Sequence, residues 1–289
     1  MTAAIHISDT DSPRDHTRWR LSVAGTIQRV VSVTDRLPKT LRHCVKPALV
    51  IAEAIVLGLL RSADVDQMVS ESYEQNQEFY DPRKYRLPHE ERMIPVLKQE
   101  KPTGHLLDAF CGQGREAHLF AREGYTVSAI DRISWMIERA QHFAVEADFE
   151  ATFTVAEFDT YCPGRQFDVV YTSCWMYSTV QGRDQRKTFL LRCAELCSDD
   201  GVIIVSYIAN RESYAVAAAR FVIARMVGIV TGGNWKTEYG ERIYSGLFWH
   251  HLRKQTVDEE TTLAGLETVS TIEGHGTDPT FLLLRKGTP

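Results

Sequence analysis

Two aspartates, Asp108 and Asp131, stand 23 positions apart in LLDAFCGQGREAHLFAREGYTVSAIDRISWMIERAQ, Leu106 to Gln141, with Gly112 and Gly114 between them. That order supplies a carboxylate, a tight turn, a helix start and a second carboxylate able to accept both hydroxyls of a ribose. The elements that must position them follow from the same letters. Leu106 and Leu107 belong to a buried strand ending at Asp108, the glycines permit a turn, and Arg115 to Arg122 has helical periodicity. Thr126 to Ile130 reads as a second strand ending at Asp131, so the two carboxylates fall at neighbouring strand tips.

Further strands are predicted over Ala151 to Ala156, Phe167 to Thr172 and Gly201 to Ile208, with a helix over Asp184 to Cys197. Leu266 to Ile272 and Thr280 to Lys286 are apolar runs separated by EGHGTDP, whose glycine, aspartate and proline predict a loop between antiparallel neighbours.

Taken together, these residues resemble the cofactor-binding half of a class I methyltransferase that uses S-adenosylmethionine, and the resemblance covers Tyr80 to Lys286. It implies an α/β fold: a mostly parallel seven-stranded sheet with an antiparallel terminal strand and helices on both faces, here with an N-terminal helical extension. It also implies that Asp108 organises the glycine loop and meets the amino acid end of the cofactor, while Gly112 and Gly114 let the backbone approach. Asp131 would bind ribose, Ile133 would pack on the adenine, Asp159 would accept from its exocyclic amine, and Ser173 would line the methionine side. Ala109, Phe110 and Thr160 complete the implied cofactor set, S-adenosylhomocysteine is the implied product, and no metal is expected. One departure stands out. The family pattern has a glycine two residues after the acidic position, where this chain has Phe110.

GQGREA also fits the G-x-G-x-x-A fingerprint of an NAD(P)-dependent oxidoreductase, with Ala117 at the helix-packing position and Asp131 on the nicotinamide ribose. Asp108 separates the readings. A pyrophosphate at this helix start would face its negative charge, whereas a cationic amino acid tail is attracted to it. A third reading is a noncatalytic regulator that binds an adenosyl ligand, and the aromatic clusters around Trp175 and Trp249 weigh against it.

Acceptor-side candidates follow the fourth strand in YTSCWMYSTV, where Trp175, Met176 and Tyr177 form a prospective aromatic wall. An N-P-P-Y type sequence is absent there, which disfavours the methyltransferases that carry it. A second region is the insertion Gly228 to Arg253, which holds Trp249, His250 and His251. A neutral imidazole can take a proton near pH 7, so His250, His251 and Tyr177 are the catalytic candidates. On a strand the two histidines face opposite ways, so only one can enter a pocket. In SESYEQNQEFYDPRKYRLPHEER, Tyr73, Tyr80 and Tyr85 are candidates for a lid over the cofactor, with Tyr80 and Tyr85 also on the substrate side. Their ring faces would attract a sulfonium by about 0.5–2 kcal/mol.

At 289 residues and 44% hydrophobic, the chain can bury a substantial core. A formal charge of −5 gives no case for a nucleic acid partner, and a small-molecule or peptide acceptor is expected instead. The six cysteines lack paired metal-ligand spacing, and Cys193 and Cys197 fall on one face of the expected helix as packing residues. The expected organisation is a flexible start over 1–20, a helical extension over 21–64, a lid segment over 65–100 and a methyltransferase domain over 101–289, with the substrate insertion at about 228–253. Residues 1–20 have no apolar signal core, so a cytoplasmic location is expected. Val23, Ile27, Val30 and Val31 recur at helical spacing, and a second run, Pro47 to Leu60, places its proline in a first helical turn. That run is shorter than the roughly 20 residues needed to cross a bilayer. Met1 to Arg61 holds nine Lys and Arg against five Asp and Glu. Packing on the catalytic domain or in a homodimer is the favoured role for these helices, and contact with an anionic membrane is the second.

Overall fold

The computed structural model of the protein describes residues 15–34, 39–83, 88–172, 175–244, 246–276 and 278–287. In chain order the elements are α1 Asp15–Thr34, α2 Lys39–Leu59, α3 Ser62–Gln75, α4 Pro88–Glu100, β1 His105–Ala109, α5 Arg115–Arg122, β2 Thr126–Asp131, α6 Ser134–Glu146 and β3 Ala151–Val155. They continue with β4 Phe167–Thr172, α7 Arg183–Leu196, β5 Cys197–Ala209, α8 Tyr214–Thr231, β6 Glu241–Tyr244, β7 Leu247–Leu252, α9 Lys254–Leu263, β8 Leu266–Ile272 and β9 Thr280–Lys286. Two compact units result: Met1–Ser72 with Tyr214–Phe248, and Tyr73–Ser213 with Trp249–Pro289.

The second unit holds a sheet in the order β3-β2-β1-β4-β5-β9-β8, in which β1 to β5 run parallel and β9 runs antiparallel to β5 and β8. Strand β7 adds a short parallel pairing at the end of β5, Ile208 with His251 and Ala209 with Leu252. Alternation along the strands feeds two cores, one on each face. Leu107, Val170, Ile203 and Leu282 pack with Phe189, Leu190 and Leu196 of α7 and Val257 of α9. Their neighbours Leu106, Val169, Ile204 and Leu283 pack with Met93 and Leu97 of α4, Phe120 of α5 and Ile137 of α6. This is the α/β sheet with helices on both faces that the resemblance implied. Because β1 and β2 are parallel and in register through Ala109 and Ile130, Asp108 and Asp131 stand at the same edge of the sheet.

The first unit packs α2 on α8 around Ala54, Leu57, Leu60 and Ala224, joined by Ala24 of α1 and by Ile243 and Phe248. Arginines cap its helix ends: Arg20 donates to Leu59 O and Thr231 O, both at 2.7 Å, and Arg61 donates to Gly232 O at 2.9 Å. Cations at C-terminal carbonyls also complement the helix dipole. Inside the unit Glu53 lies 3.3 Å from Arg220 and 2.9 Å from Arg242.

Several boundaries differ from the sequence-based expectations. Helix α1 starts at Asp15, inside the segment read as flexible, and residues 1–14 lie outside the described residues. Pro47 stands inside α2 rather than in a first turn. Proline in a helix interior costs about 3 kcal/mol, but Val56, Leu57, Leu59 and Leu60 are all buried, and each contributes about 1.5–3 kcal/mol. Cys197 leaves the α7 face it was expected to share with Cys193 and begins β5, because it pairs with Phe167 of β4. The expected boundary at residues 64 and 65 falls within α3, and the expected insertion starts inside α8.

A methyl at Gly58 would sit 2.1 Å from Ala224 O, so α2 and α8 approach as closely as they do only because that position has no side chain. Gly58→Ala is expected to lower stability by about 1–3 kcal/mol, read as a reduced urea midpoint with an unchanged slope. An unaltered midpoint would mean that the two helices separate freely.

Candidate active site

Asp108, at the tip of β1, is fully buried, and the one donor near its carboxylate, the backbone N–H of Ala117, falls short of ordinary hydrogen-bond geometry. Burial and the neighbouring Glu116 push its pKa well above the usual carboxylate range, against the pull of Arg115, and Asp131 raises it further. Glu116 is itself buried and is paired with Arg115, whose guanidinium also lies 3.8 Å from the buried Glu90 of α4. Three buried carboxylates, Asp108, Glu116 and Glu90, thus share Arg115, while Asp131 has the charge of Arg132 beside it, and such an acid-rich site favours added positive charge.

Asp131, at the tip of β2, accepts from Gly112 N at 3.0 Å and from Ile133 N at 2.9 Å. Each oxygen keeps a further lone pair, which leaves the carboxylate able to accept from a vicinal diol. The first of these bonds ties the glycine loop to the second strand. Gly112 and Gly114 both have positive φ, 52° and 83°, which suits a turn that a side chain would strain. Phe110 is also left-handed, at 64°. Its ring turns away into an aromatic cluster, 5.0 Å from Phe158 and 6.0 Å from Phe189. Ala109 is buried beneath the loop and Ile133 is half-buried at the start of α6. Asp159 and Thr160 are exposed on the short helical turn after β3, whose end is held beside β2 by Ala156 N donating to Asp131 O at 3.0 Å. Ser173 lies outside the described residues.

Tyr73 is held near Asp131: burial, then the Asp131 charge, raises its pKa. Its ring lies 5.1 Å from that of Tyr80. Gln113 of the glycine loop donates to Gln77 O at 3.1 Å, and Arg139 of α6 donates to the Gln77 side chain at 3.1 Å. The tyrosine segment is thus anchored on the glycine loop and α6, while Tyr85 lies outside the described residues. A cavity of about 320 Å³ opens beside it, lined by Glu78, Gln113, Arg139 and Phe143, but by neither Asp108 nor Asp131.

After β4 the chain turns through Trp175, at φ 66°, whose N–H donates to Ser206 Oγ at 2.8 Å. Trp175 meets Trp249 edge-on at 6.3 Å and His89 of α4 edge-on at 6.4 Å, and its indole N–H is buried with no partner. The two tryptophans are therefore brought together, with half-buried Met176 next in the chain.

The catalytic candidates are placed differently. Tyr177 is fully buried, and its hydroxyl donates to Glu260 Oε2 at 2.5 Å. Arg186 binds the same carboxylate at 2.7 Å and also reaches His250 Nδ1 at 2.9 Å. A guanidinium only donates, so Nδ1 is the acceptor and the neutral ring carries its proton on Nε2. Neither nitrogen of His250 is then available to take a proton, and Tyr177 faces a core network rather than an acceptor. These two expectations are corrected for the same reason: a buried Arg186–Glu260 pair, 74 residues apart in sequence, claims both side chains. His251 is half-buried on the opposite side of β7. Sequence reasoning missed Glu90, Glu116, Arg186, Ser206 and Glu260. Only Glu116, in the first turn after the glycines, carried a local signal.

A family model described as a methyltransferase domain matches residues 100–244, half of the chain. None of the curated protein sequences matches it. Among solved structures, an S-adenosylmethionine-dependent methyltransferase from Clostridium acetobutylicum is 11% identical with a TM-score of 0.55, over 75% of this chain and 99% of that one. The CcbJ methyltransferase from Streptomyces caelestis is 13% identical with a TM-score of 0.55, over 73% and 96%. The 1,6-didemethyltoxoflavin-N1-methyltransferase of Burkholderia thailandensis, solved with 1,6-didemethyltoxoflavin and S-adenosylhomocysteine bound, is 16% identical with a TM-score of 0.54, over 78% and 87%. At these identities the structural likeness speaks for the fold, and the family model speaks for membership. The chain belongs to the methyltransferase-domain family, as a class I S-adenosylmethionine-dependent enzyme. The buried Asp108 carboxylate fits that cationic cofactor and opposes a dinucleotide pyrophosphate.

Two outcomes are expected. Asp131→Ala should weaken S-adenosylhomocysteine binding by about 1.5–3 kcal/mol in a calorimetric titration, and unchanged affinity would remove Asp131 from the ribose. A carboxyl whose folded-state pKa is raised contributes stability below its unfolded value and loses that contribution as pH rises through the raised one. Ligand-free protein should therefore lose stability across that interval, while S-adenosylmethionine, by neutralising Asp108, should protect more strongly as pH rises. Thermal shifts across a pH series would show this, and Asp108→Asn should flatten the trend. A wild-type shift that does not vary with pH would reject the assignment.

Proposed function

We propose that the protein methylates a small, planar acceptor lying against Trp175 and Trp249, with His89 taking the acceptor's proton. The observation that carries this reading is the buried, unpartnered indole N–H of Trp175, on a ring that Trp249 and His89 both meet edge-to-face. A buried donor without an acceptor is costly, and a polar atom on an aromatic or conjugated ligand would satisfy it. The Burkholderia relative, solved with a heteroaromatic compound and S-adenosylhomocysteine, lends the acceptor class support by analogy.

His89 Nδ1 lies 3.8 Å from Asp278 Oδ2, a neighbour that would hold the ring in one orientation toward the acceptor. Asp108, Asp131 and the glycine loop would hold the donor, with Asp159 and Ile133 at the adenine. The bound cofactor supplies a methyl group on a positively charged sulfur. The protein's share is to orient the nucleophile, exclude water and receive the proton, and positioning alone carries much of such a reaction. Tyr73 and Tyr80 contribute the cover.

Incubating candidate heteroaromatic compounds with isotopically labelled S-adenosylmethionine should give a product one labelled methyl heavier, located by mass spectrometry. His89→Gln should lower kcat by about 10²–10⁴-fold, with S-adenosylhomocysteine affinity unchanged. Full activity in that variant would dismiss His89 as the base, and methylation confined to peptides would dismiss the acceptor class.

A further inference from the structure

Helix α8 exposes a row of large apolar side chains. Three of its four buried residues are small, Ala217, Ala224 and Gly228, with Ala224 seated against Gly58, and the fourth, Arg220, pairs with Glu53. Ile223 packs half-buried on the core of the unit, while four other large apolar residues point outward. Val222 is 55% exposed, Met226 58%, Ile229 60% and Val230 80%, at spacings that place them on one stripe. Eighteen residues long, α8 is apolar enough to cross a membrane, yet only 22% of it is buried. Small residues inside and large aliphatics outside are what helices use where the surroundings are hydrocarbon.

The charges and aromatics around this stripe narrow what covers it. Helix α8 carries Arg220 and Arg225 and no carboxylate. Arg225 is exposed beside the stripe and lies over Phe221. At the C-terminal end of α8, where Arg20 and Arg61 cap its carbonyls, two exposed tryptophans gather: Trp19, covered by Arg20, and Trp235, covered by Lys236. Tyr214 is exposed at the other end. An aliphatic stripe bounded by tryptophan, tyrosine and basic side chains matches the lipid–water boundary, where such rings and cations settle at the headgroups. A second copy of the stripe would set Arg225 against Arg225.

We propose that α8 docks this unit on an anionic lipid bilayer, with Val222, Met226, Ile229 and Val230 in the acyl boundary and Arg225, Arg61 and Lys236 at the headgroups. The proposal is independent of the acceptor assigned above. Full-length protein would be mixed with vesicles of phosphatidylcholine alone, or of phosphatidylcholine with phosphatidylglycerol, and separated by flotation. Binding to the anionic vesicles is expected to be at least about tenfold tighter and to weaken with salt. The combined variant Val222→Ser, Met226→Ser and Ile229→Ser should no longer float, while binding S-adenosylhomocysteine as the parent does. If that variant does not fold, the unmodified chain still decides: brominated acyl chains should quench its tryptophan fluorescence, and Trp235→Phe should reduce the quenching. No flotation at any composition, equal flotation of the triple variant, or a solution dimer that the triple variant converts to monomer would overturn the proposal.

Discussion

The site depends on one unfavourable interaction, the burial of the Asp108 carboxylate beside two other acids with only a weak backbone donor, Ala117 N–H, toward it. A lone carboxylate in such surroundings costs several kcal/mol, which a protein avoids unless something completes it. Protonation offers partial relief in the ligand-free state, and the raised pKa reports it. A ligand with a positively charged tail offers more. Asp131 complements this arrangement from the next strand: its backbone bonds fix the glycine loop and its remaining lone pairs face outward, so loop shape and ligand capacity are set by the same carboxylate.

Phe110 shows how the loop tolerates a side chain where the family has glycine. A left-handed conformation costs an ordinary residue about 1–2 kcal/mol. Ring contacts with Phe158 and Phe189 are each worth about 0.5–1.5 kcal/mol, and burial of the ring adds to them. The contacts match or exceed the strain, so the loop keeps the backbone path a glycine would take. The ring leaves the crevice because it is drawn into the core beneath the third and fourth strands. What the sequence presents as a departure from the family glycine is, in the fold, an anchor for the loop.

Much of this was legible because the signals are local. Strand alternation, the glycines, the two aspartates and the EGHGTDP loop each declare themselves within a few residues, and the sheet order follows from parallel strands joined by helices. The missed features depend on distant partners. Nothing near Arg186 announces Glu260, and nothing near Tyr177 announces that its hydroxyl turns inward. Helix α8 escaped for a different reason: it is apolar on both faces, so no 3.6-residue contrast marks it. Cys197 shows the limit of periodicity itself, since a helical spacing from Cys193 was real in the sequence while the chain left the helix to pair with β4.

The Arg186–Glu260 pair also explains why His250 is a poor base. A fully buried ion pair adds little net stability, but its geometry is demanding, and removing either partner strands the other. Here it joins the turn after β4, α7, β7 and α9 through Tyr177, Glu260, Arg186 and His250, while Ser178 bridges His250 O and Ile208 N at 2.8 and 2.9 Å. That bracing fixes the backbone on either side of Trp175 and Trp249, so the tryptophans meet edge-on without themselves belonging to the network. A histidine recruited to hold a wall cannot also shuttle a proton from within it. A base, under the proposed reading, is then a ring outside the brace, and His89 on α4 has the indole contact and Asp278 nearby that this reading uses.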